Sequence, residues 1–394
     1  MSPDRTAWTA ALCWLAVLLE GYDLVALGAA IPTLLRTHDL GFTPAGATAV
    51  ATASLVGVAV GAGFLAPVAD RRGRRSVLLG SVALFSVFTL VLPLAPNVAT
   101  FGVLRFLAGL GLGAVMPVAL TTMAESLSSR RASASTITMT GYHVGAVLTS
   151  VLALVFASHW EVLFYGGGLA GLLVLPLMWW RLPESTAYLA ASRERVTVRE
   201  VLGGRFRRTT IAVWVGSFMG LLLVYGLNTW LPQLMTTAGY PLSTSITLLL
   251  LLNVGGVVGL LLAGLIADRF GTRRVAVLWF AASAVLLAAL SLRVGNALLL
   301  NALVLLTGVF VFSAQVLIYS HVTESFPTST RGTALGLTSA VGRLGSITGP
   351  FLTGALVTAG VAYPWGFYFF AAVAVLGLAA VLVLRNVPAE ARSL

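Results

Sequence analysis

Long apolar runs alternate with short polar punctuation along the whole chain, and the period of that alternation predicts the architecture. A hydrocarbon core about 30 Å thick takes roughly 20 helical residues to cross. Apolar runs of that length occur near 8–31, 45–69, 76–95, 101–125, 133–157, 161–181, 209–235, 243–267, 275–293, 296–324, 331–359 and 363–385. The pattern therefore predicts twelve membrane-spanning helices, with little polar sequence dividing the ninth from the tenth. Arginines cluster in alternate connections: Arg71, Arg72, Arg74, Arg75, Arg130, Arg131, Arg269, Arg273 and Arg274 fall on one side, and Arg36 and Arg293 on the other. Basic connections mark the cytoplasmic face, so both termini are expected inside. The longest hydrophilic segment, 183–208, splits the spans into two groups of six. The expected domains are an N-terminal bundle (1–182), a cytoplasmic linker (183–208) and a C-terminal bundle (209–394).

Composition narrows the class. The 394 residues are 58% hydrophobic and 9% charged, with a mean hydropathy of +0.96. Soluble domains carry about 25% charged residues. The chain is expected to be an all-α integral membrane protein. A net charge of +11 could suggest nucleic acid, but the arginines mark loops between spans, so none is expected as a partner. The single cysteine, Cys13, lies inside the first span and leaves no intrachain disulfide to form. The first apolar run is longer than a signal-peptide core and is interrupted by acids, which suits a retained anchor. Gly109, Gly111 and Gly113, or Gly255, Gly256 and Gly259, sit mid-span with no preceding strand and no P-loop Lys, so close helix packing explains them better than a nucleotide loop. No catalytic triad or metal-ligand cluster is visible, and neither enzymatic activity nor a cofactor is expected.

The halves echo each other. Ala69-Asp70-Arg71-Arg72-Gly73-Arg74-Arg75 after span two matches Ala267-Asp268-Arg269-Phe270-Gly271-Thr272-Arg273-Arg274 after span eight. Glu125 before Arg130 matches Glu324 before Arg331 at nearly the same offset, as duplicated halves would. Within the spans, charge is rare. Glu20 and Asp23 sit three residues apart in span one, about 60° apart on one helical face. Even the mildest scale charges ~2.5–3.5 kcal/mol for an ionised carboxylate in hydrocarbon, so such residues usually serve a proton, an ion or a substrate. Arg105 in span four lies at a depth from which it can reach Asp23. Arg343 lies near mid-bilayer in span eleven and could fork onto a substrate carboxylate or pair with Glu20 or Asp23. His143 occupies nearly the corresponding place in the first half.

At these residues the chain resembles the major facilitator superfamily over essentially its whole length. The twice-present Asp-Arg-x-Gly-x-Arg-Arg loop is that superfamily's most specific signature, and Arg105 opening Arg-Phe-Leu-Ala-Gly-Leu-Gly-Leu-Gly is similar to a second motif. Within it, the chain is similar to the aromatic acid:proton symporters. The motifs are Glu20-Gly21-Tyr22-Asp23, Gly109 to Pro117, Tyr225-Gly226-Leu227-Asn228-Thr229-Trp230-Leu231-Pro232, and Gly342-Arg343-Leu344-Gly345 followed by Gly349-Pro350. Glu20 stands where that family usually has Asp, and Val118 where many members have a polar residue.

The resemblance implies two pseudo-symmetric six-helix bundles working by alternating access, with spans one, four, seven and ten lining a central cavity. It implies proton-driven uptake of an aromatic carboxylate, benzoate or hydroxybenzoate in type, across a bacterial inner membrane by a monomer. Protons, the aromatic acid and the bilayer are the expected partners, and the proton gradient supplies the drive. Asp23, Glu20 and Arg105 are candidates for proton coupling. Arg343, Tyr22, His143, Tyr225, Asn228, Trp230, Gln315 and Tyr319 are candidates for holding a flat, partly polar ligand, although Trp230 also suits an interfacial anchor. Asp70, Arg71, Gly73, Arg74, Arg75, Glu125, Asp268, Arg269, Gly271, Arg273, Arg274, Glu324 and Arg331 are expected to gate, with His321 nearby. An efflux pump of the same superfamily and a non-transporting sensor are the alternatives.

Overall fold

A computed structural model describes residues 3–126, 131–156, 159–184, 203, 206–326 and 328–384. Among them are twelve long helices and no strand: α1 (Pro3–Thr37), α2 (Pro44–Phe64), α3 (Arg74–Val91), α4 (Val98–Ser126), α5 (Arg131–Val155), α6 (Glu161–Arg181), α7 (Arg207–Thr237), α8 (Leu242–Phe270), α9 (Thr272–Leu290), α10 (Ala297–Ser325), α11 (Thr328–Thr358) and α12 (Trp365–Val383). Eleven are long and apolar enough to cross a membrane. The twelfth, α11, is diluted by Ser, Thr, Gly and Arg343 along its length. The 183–208 linker lies almost entirely outside the described residues.

Polar residues mark several boundaries that hydropathy blurs. Asn296 separates α9 from α10, because its side chain caps α10 by accepting from the Leu299 N–H at 3.0 Å. Such a cap satisfies one of the orphan amides of a first helical turn. Thr43 does the same for α2 through Gly46 N–H. α1 runs to Thr37, six residues beyond its apolar core, with Pro32 inside the helix. Span two stops earlier than expected: α2 ends at Phe64, and a separate helical turn, Ala69–Arg72, carries the first echoed motif. Gly73 and Gly271 close the two echoed loops with φ of 95° and 86°. Side-chain-bearing residues strain at such values, so both copies require glycine there.

The chain forms two compact units: Met1–Ser192 with Asn228–Asn253, and Arg193–Leu227 with Val254–Leu394. In the first unit, α1 packs on α5 and α2 on α4 along glycine seams. A Cβ on Gly21 would collide with the Tyr142 backbone, and one on Gly145 with the Leu18 carbonyl. Gly57, Gly61, Gly109 and Gly113 bring α2 and α4 equally close. The second unit repeats the device. Gly345 and Gly349 meet Phe218 and Leu222 of α7, while Gly255 and Gly259 meet Leu305 and Val309 of α10. Small residues let membrane helices approach to backbone contact, where dispersion replaces the missing hydrophobic drive. Mid-span glycines are thus packing surfaces, as the sequence suggests.

Gly145→Leu should lower the melting temperature in detergent, since overpacking a closed seam costs about 1–3 kcal/mol or more. Gly264→Ala, whose Cβ meets nothing within 4 Å, should leave it unchanged or slightly raised. Equal effects would show that the seams do not hold the helices.

Candidate functional site

The chemistry of the first unit centres on Asp23 of α1. Arg105 of α4 donates from Nη1 to Asp23 Oδ1, and Thr89 of α3 donates to Oδ2. Both carboxylate oxygens therefore accept, which suits the ionised form. Arg105 Nη2 adds a long contact to the Asp23 backbone carbonyl at 3.5 Å, and the guanidinium carbon lies 6.0 Å from the Phe164 ring centroid. Asp23 and Arg105 are each only 1% exposed. α1 is held in register by its neighbours: Tyr22 donates to the Leu163 carbonyl at 2.9 Å, and Thr149 donates to the Tyr22 carbonyl at 2.9 Å. Tyr22 thus anchors α1 against α6. Glu20 is fully buried one turn before Asp23.

Three further side chains form a buried hydrogen-bond chain in the same unit. His143 Nδ1 lies 3.0 Å from Asn253 Oδ1, and Asn253 Nδ2 donates to Asn228 Oδ1 at 2.9 Å and to the Leu249 carbonyl at 3.1 Å. Because Asn253 Oδ1 can only accept, His143 must carry its proton on Nδ1. The Asn228 carbonyl packs on Gly28 of α1. Trp230 is fully buried, which overturns the interfacial-anchor alternative: an anchor ring must reach the headgroups, and this one is enclosed.

In the second unit, Arg343 of α11 donates to the Tyr225 hydroxyl of α7 at 3.0 Å and is half-buried. Gln315 of α10 donates to Ser217 Oγ at 2.8 Å, and Ser217 donates to the Thr338 carbonyl at 3.1 Å. Tyr319 follows one turn after Gln315 and is half-buried.

The echoed loops are braced differently. The Glu184 carboxylate accepts from the backbone N–H of Arg74 at 2.8 Å and of Arg75 at 3.3 Å, capping α3, while the Arg75 side chain donates to the Trp179 carbonyl. At the second loop, Thr272 donates to Glu324 at 2.7 Å and lies 3.4 Å from His321 Nδ1, and Arg273 donates to the Leu382 carbonyl at 2.9 Å. Arg71, Arg72, Asp268, Arg269 and Arg274 are exposed. The side chains of Asp70, Glu125 and Arg331 lie outside the described residues. Among the described residues no group of His, Cys, Asp and Glu is placed to hold a metal ion.

Sequence reasoning passed over Thr89, Asn253, Ser217, Thr272 and Glu184. Thr89, Asn253 and Ser217 are uncharged polar residues in apolar runs, Thr272 lies inside the second echoed loop, and Glu184 stands at the start of the hydrophilic segment after α6. Asn253 had a signal, as the lone amide in the middle of an apolar span.

The family model described as the Major Facilitator Superfamily matches residues 13–261 and 244–394. The chain is 33% identical to the gallate transporter of Pseudomonas putida over 387 residues, covering 90% of this chain and 86% of that protein. It is 32% identical to the gentisate transporter of Corynebacterium glutamicum (94% and 86% covered) and 32% identical to the 4-hydroxybenzoate transporter PcaK of Pseudomonas aeruginosa (90% and 86%). Among solved structures, a D-xylose-proton symporter superposes with a TM-score of 0.77 at 17% identity, over 97% of this chain and 98% of that one. The nucleoside transporter NupG gives 0.76 at 14% identity, with 97% and 100% covered.

Removing one partner of a buried ion pair costs about 3–5 kcal/mol, because the other charge stays behind. Arg105→Met should therefore destabilise the protein strongly in thermal unfolding in detergent. Asp23→Asn, which keeps an acceptor for Arg105, should cost less, and adding it to Arg105→Met should recover part of the loss. Additive losses in this cycle would mean that the pair is not coupled.

Proposed function

The chain belongs to the Major Facilitator Superfamily of membrane transporters, and from that premise we propose that it imports an aromatic carboxylate together with protons by alternating access. The observation that carries this reading is the ion pair of Asp23 and Arg105, sealed from solvent beside Thr89. The names of the relatives, transporters of gallate, gentisate and 4-hydroxybenzoate, supply the substrate class.

The steps follow from charge. With no proton bound, Arg105 holds Asp23 ionised. Protonating Asp23 cancels the attraction and frees the guanidinium, so an occupied and an empty proton site favour different helix arrangements. The substrate anion is held at Arg343, whose planar fork matches a carboxylate. Tyr225 orients that fork. Glu20, buried one turn from Asp23, shares the proton role. Bringing a lone anion into a negative cell costs ~2.3 kcal/mol per 100 mV; a co-transported proton removes that cost and adds the drive of the pH gradient. The protein works in the bacterial inner membrane with both termini cytoplasmic, the echoed arginine loops bracing the cytoplasmic ends.

Proteoliposomes of the purified protein, challenged with benzoate, hydroxybenzoates, a sugar and a cationic dye, test the reading. Aromatic acids should alkalinise the medium, and both Asp23→Asn and Arg343→Ala should abolish the signal while the purified variants stay monodisperse. Silence with the acids and proton exchange with the dye would replace import by efflux.

A further inference from the structure

Gln315 is held in one orientation by a chain of hydrogen bonds that leaves its carbonyl oxygen without a partner. Ser217 commits its only hydroxyl proton to the Thr338 carbonyl at 3.1 Å, so its oxygen can only accept. The Gln315 amide must then present Nε2 to Ser217, which it does at 2.8 Å. The opposite end, Oε1, is buried and receives no hydrogen bond among the described residues. It lies against Gly220 of α7, where any side chain would collide with it. Buried polar atoms are nearly always paired, and an exception asks for an explanation.

The neighbourhood indicates what is missing. α7 presents Ser217 to the Gln315 amide nitrogen and Gly220 to its oxygen, and Tyr225, about 7.5 Å beyond Gly220 along the helix, to Arg343. A cation suited to a carboxylate, on α11, and an unpaired acceptor, on α10, thus both pack against α7. The anion of a simple aromatic acid carries acceptors only, so benzoate has nothing to offer Gln315. A ring hydroxyl is the one donor that such a molecule can bring.

We propose that Gln315 determines specificity by accepting a hydrogen bond from a ring hydroxyl, so that the substrates are hydroxylated aromatic acids and unsubstituted ones are disfavoured. This rests on the reading of the protein as an aromatic acid transporter. Ser217 is the positioning residue, since it fixes which end of the amide faces the ligand. A site built for a hydroxyl discriminates strongly against the analogue lacking it, because its own polar group then stays unpaired.

The test is proton-coupled uptake into proteoliposomes of benzoate, 3- and 4-hydroxybenzoate and 4-methoxybenzoate, the last keeping the oxygen but losing the donor. For the unmodified protein, KM for at least one hydroxybenzoate should be about tenfold below those of benzoate and the methoxy acid. Gln315→Leu should bring the KM values of the four acids to parity. Ser217→Ala, which frees the amide to turn, should reduce the preference without abolishing uptake. Parity in the unmodified protein overturns the proposal, and that comparison holds even if Gln315→Leu fails to fold. A preference that survives Gln315→Leu, or an equal loss of all four acids in a Gln315→Leu protein that purifies monodisperse, overturns it as well. Benzoate uptake without any hydroxyl preference would remove this inference alone. Failure of the unmodified protein to transport any of the acids would remove the transport reading and this inference with it.

Discussion

Everything around α1 is arranged to keep a charge pair out of water. Asp23 and Arg105 are each 1% exposed, so each charge relies on the other in place of the water it has lost. Their attraction offsets the penalty only if geometry is good and remaining lone pairs are satisfied. Three other helices supply those conditions. Thr89 of α3 occupies the second carboxylate oxygen, α4 brings the guanidinium, and Phe164 of α6 faces the cation with its ring. Tyr22 and Thr149 tie α1 to α6 and α5 one residue before Asp23. Removing either charge would leave the other buried and unpaired.

Close helix approach makes the balance possible. Glycine seams bring α1 to α5 and α2 to α4 at backbone contact, and the same seams recur between α7 and α11 and between α8 and α10. The same packing device therefore serves both halves, while the polar residues that the seams frame differ. The helices of the first half carry the acids and His143, and those of the second carry Asn228, Asn253, Arg343, Tyr225 and Gln315. Division of labour between repeats is the simplest account of why the acidic motif of α1 has no acidic counterpart in α7.

The echoed loops follow the same logic. Both need a glycine with positive φ to turn between helices, so the turn is common to the two. Their bracing is not. One is capped from outside by Glu184, the other is tied by Thr272 to Glu324 near the end of α10. The two loops therefore differ in their bracing even though their motifs read alike.

The number of spans, the duplicated plan, the arginine-marked loops and the burial of Glu20, Asp23 and Arg105 were legible in the chain, because hydrocarbon admits so few solutions. Only helices of about 20 apolar residues cross it, and a charge inside it stands out against the apolar background. The pairing of Asp23 with Arg105 could be anticipated too, since depth along a helix follows from residue counting. Partner choice among uncharged groups could not. Thr89, Asn253 and Ser217 are ordinary in a membrane helix, and which of them faces Asp23, His143 or Gln315 depends on the rotation and approach of helices far apart in sequence. Trp230 illustrates the same limit: its position along the chain suited an interface, and packing enclosed it. Depth is a one-dimensional quantity that sequence records directly, whereas rotation and neighbours are settled only when the helices pack.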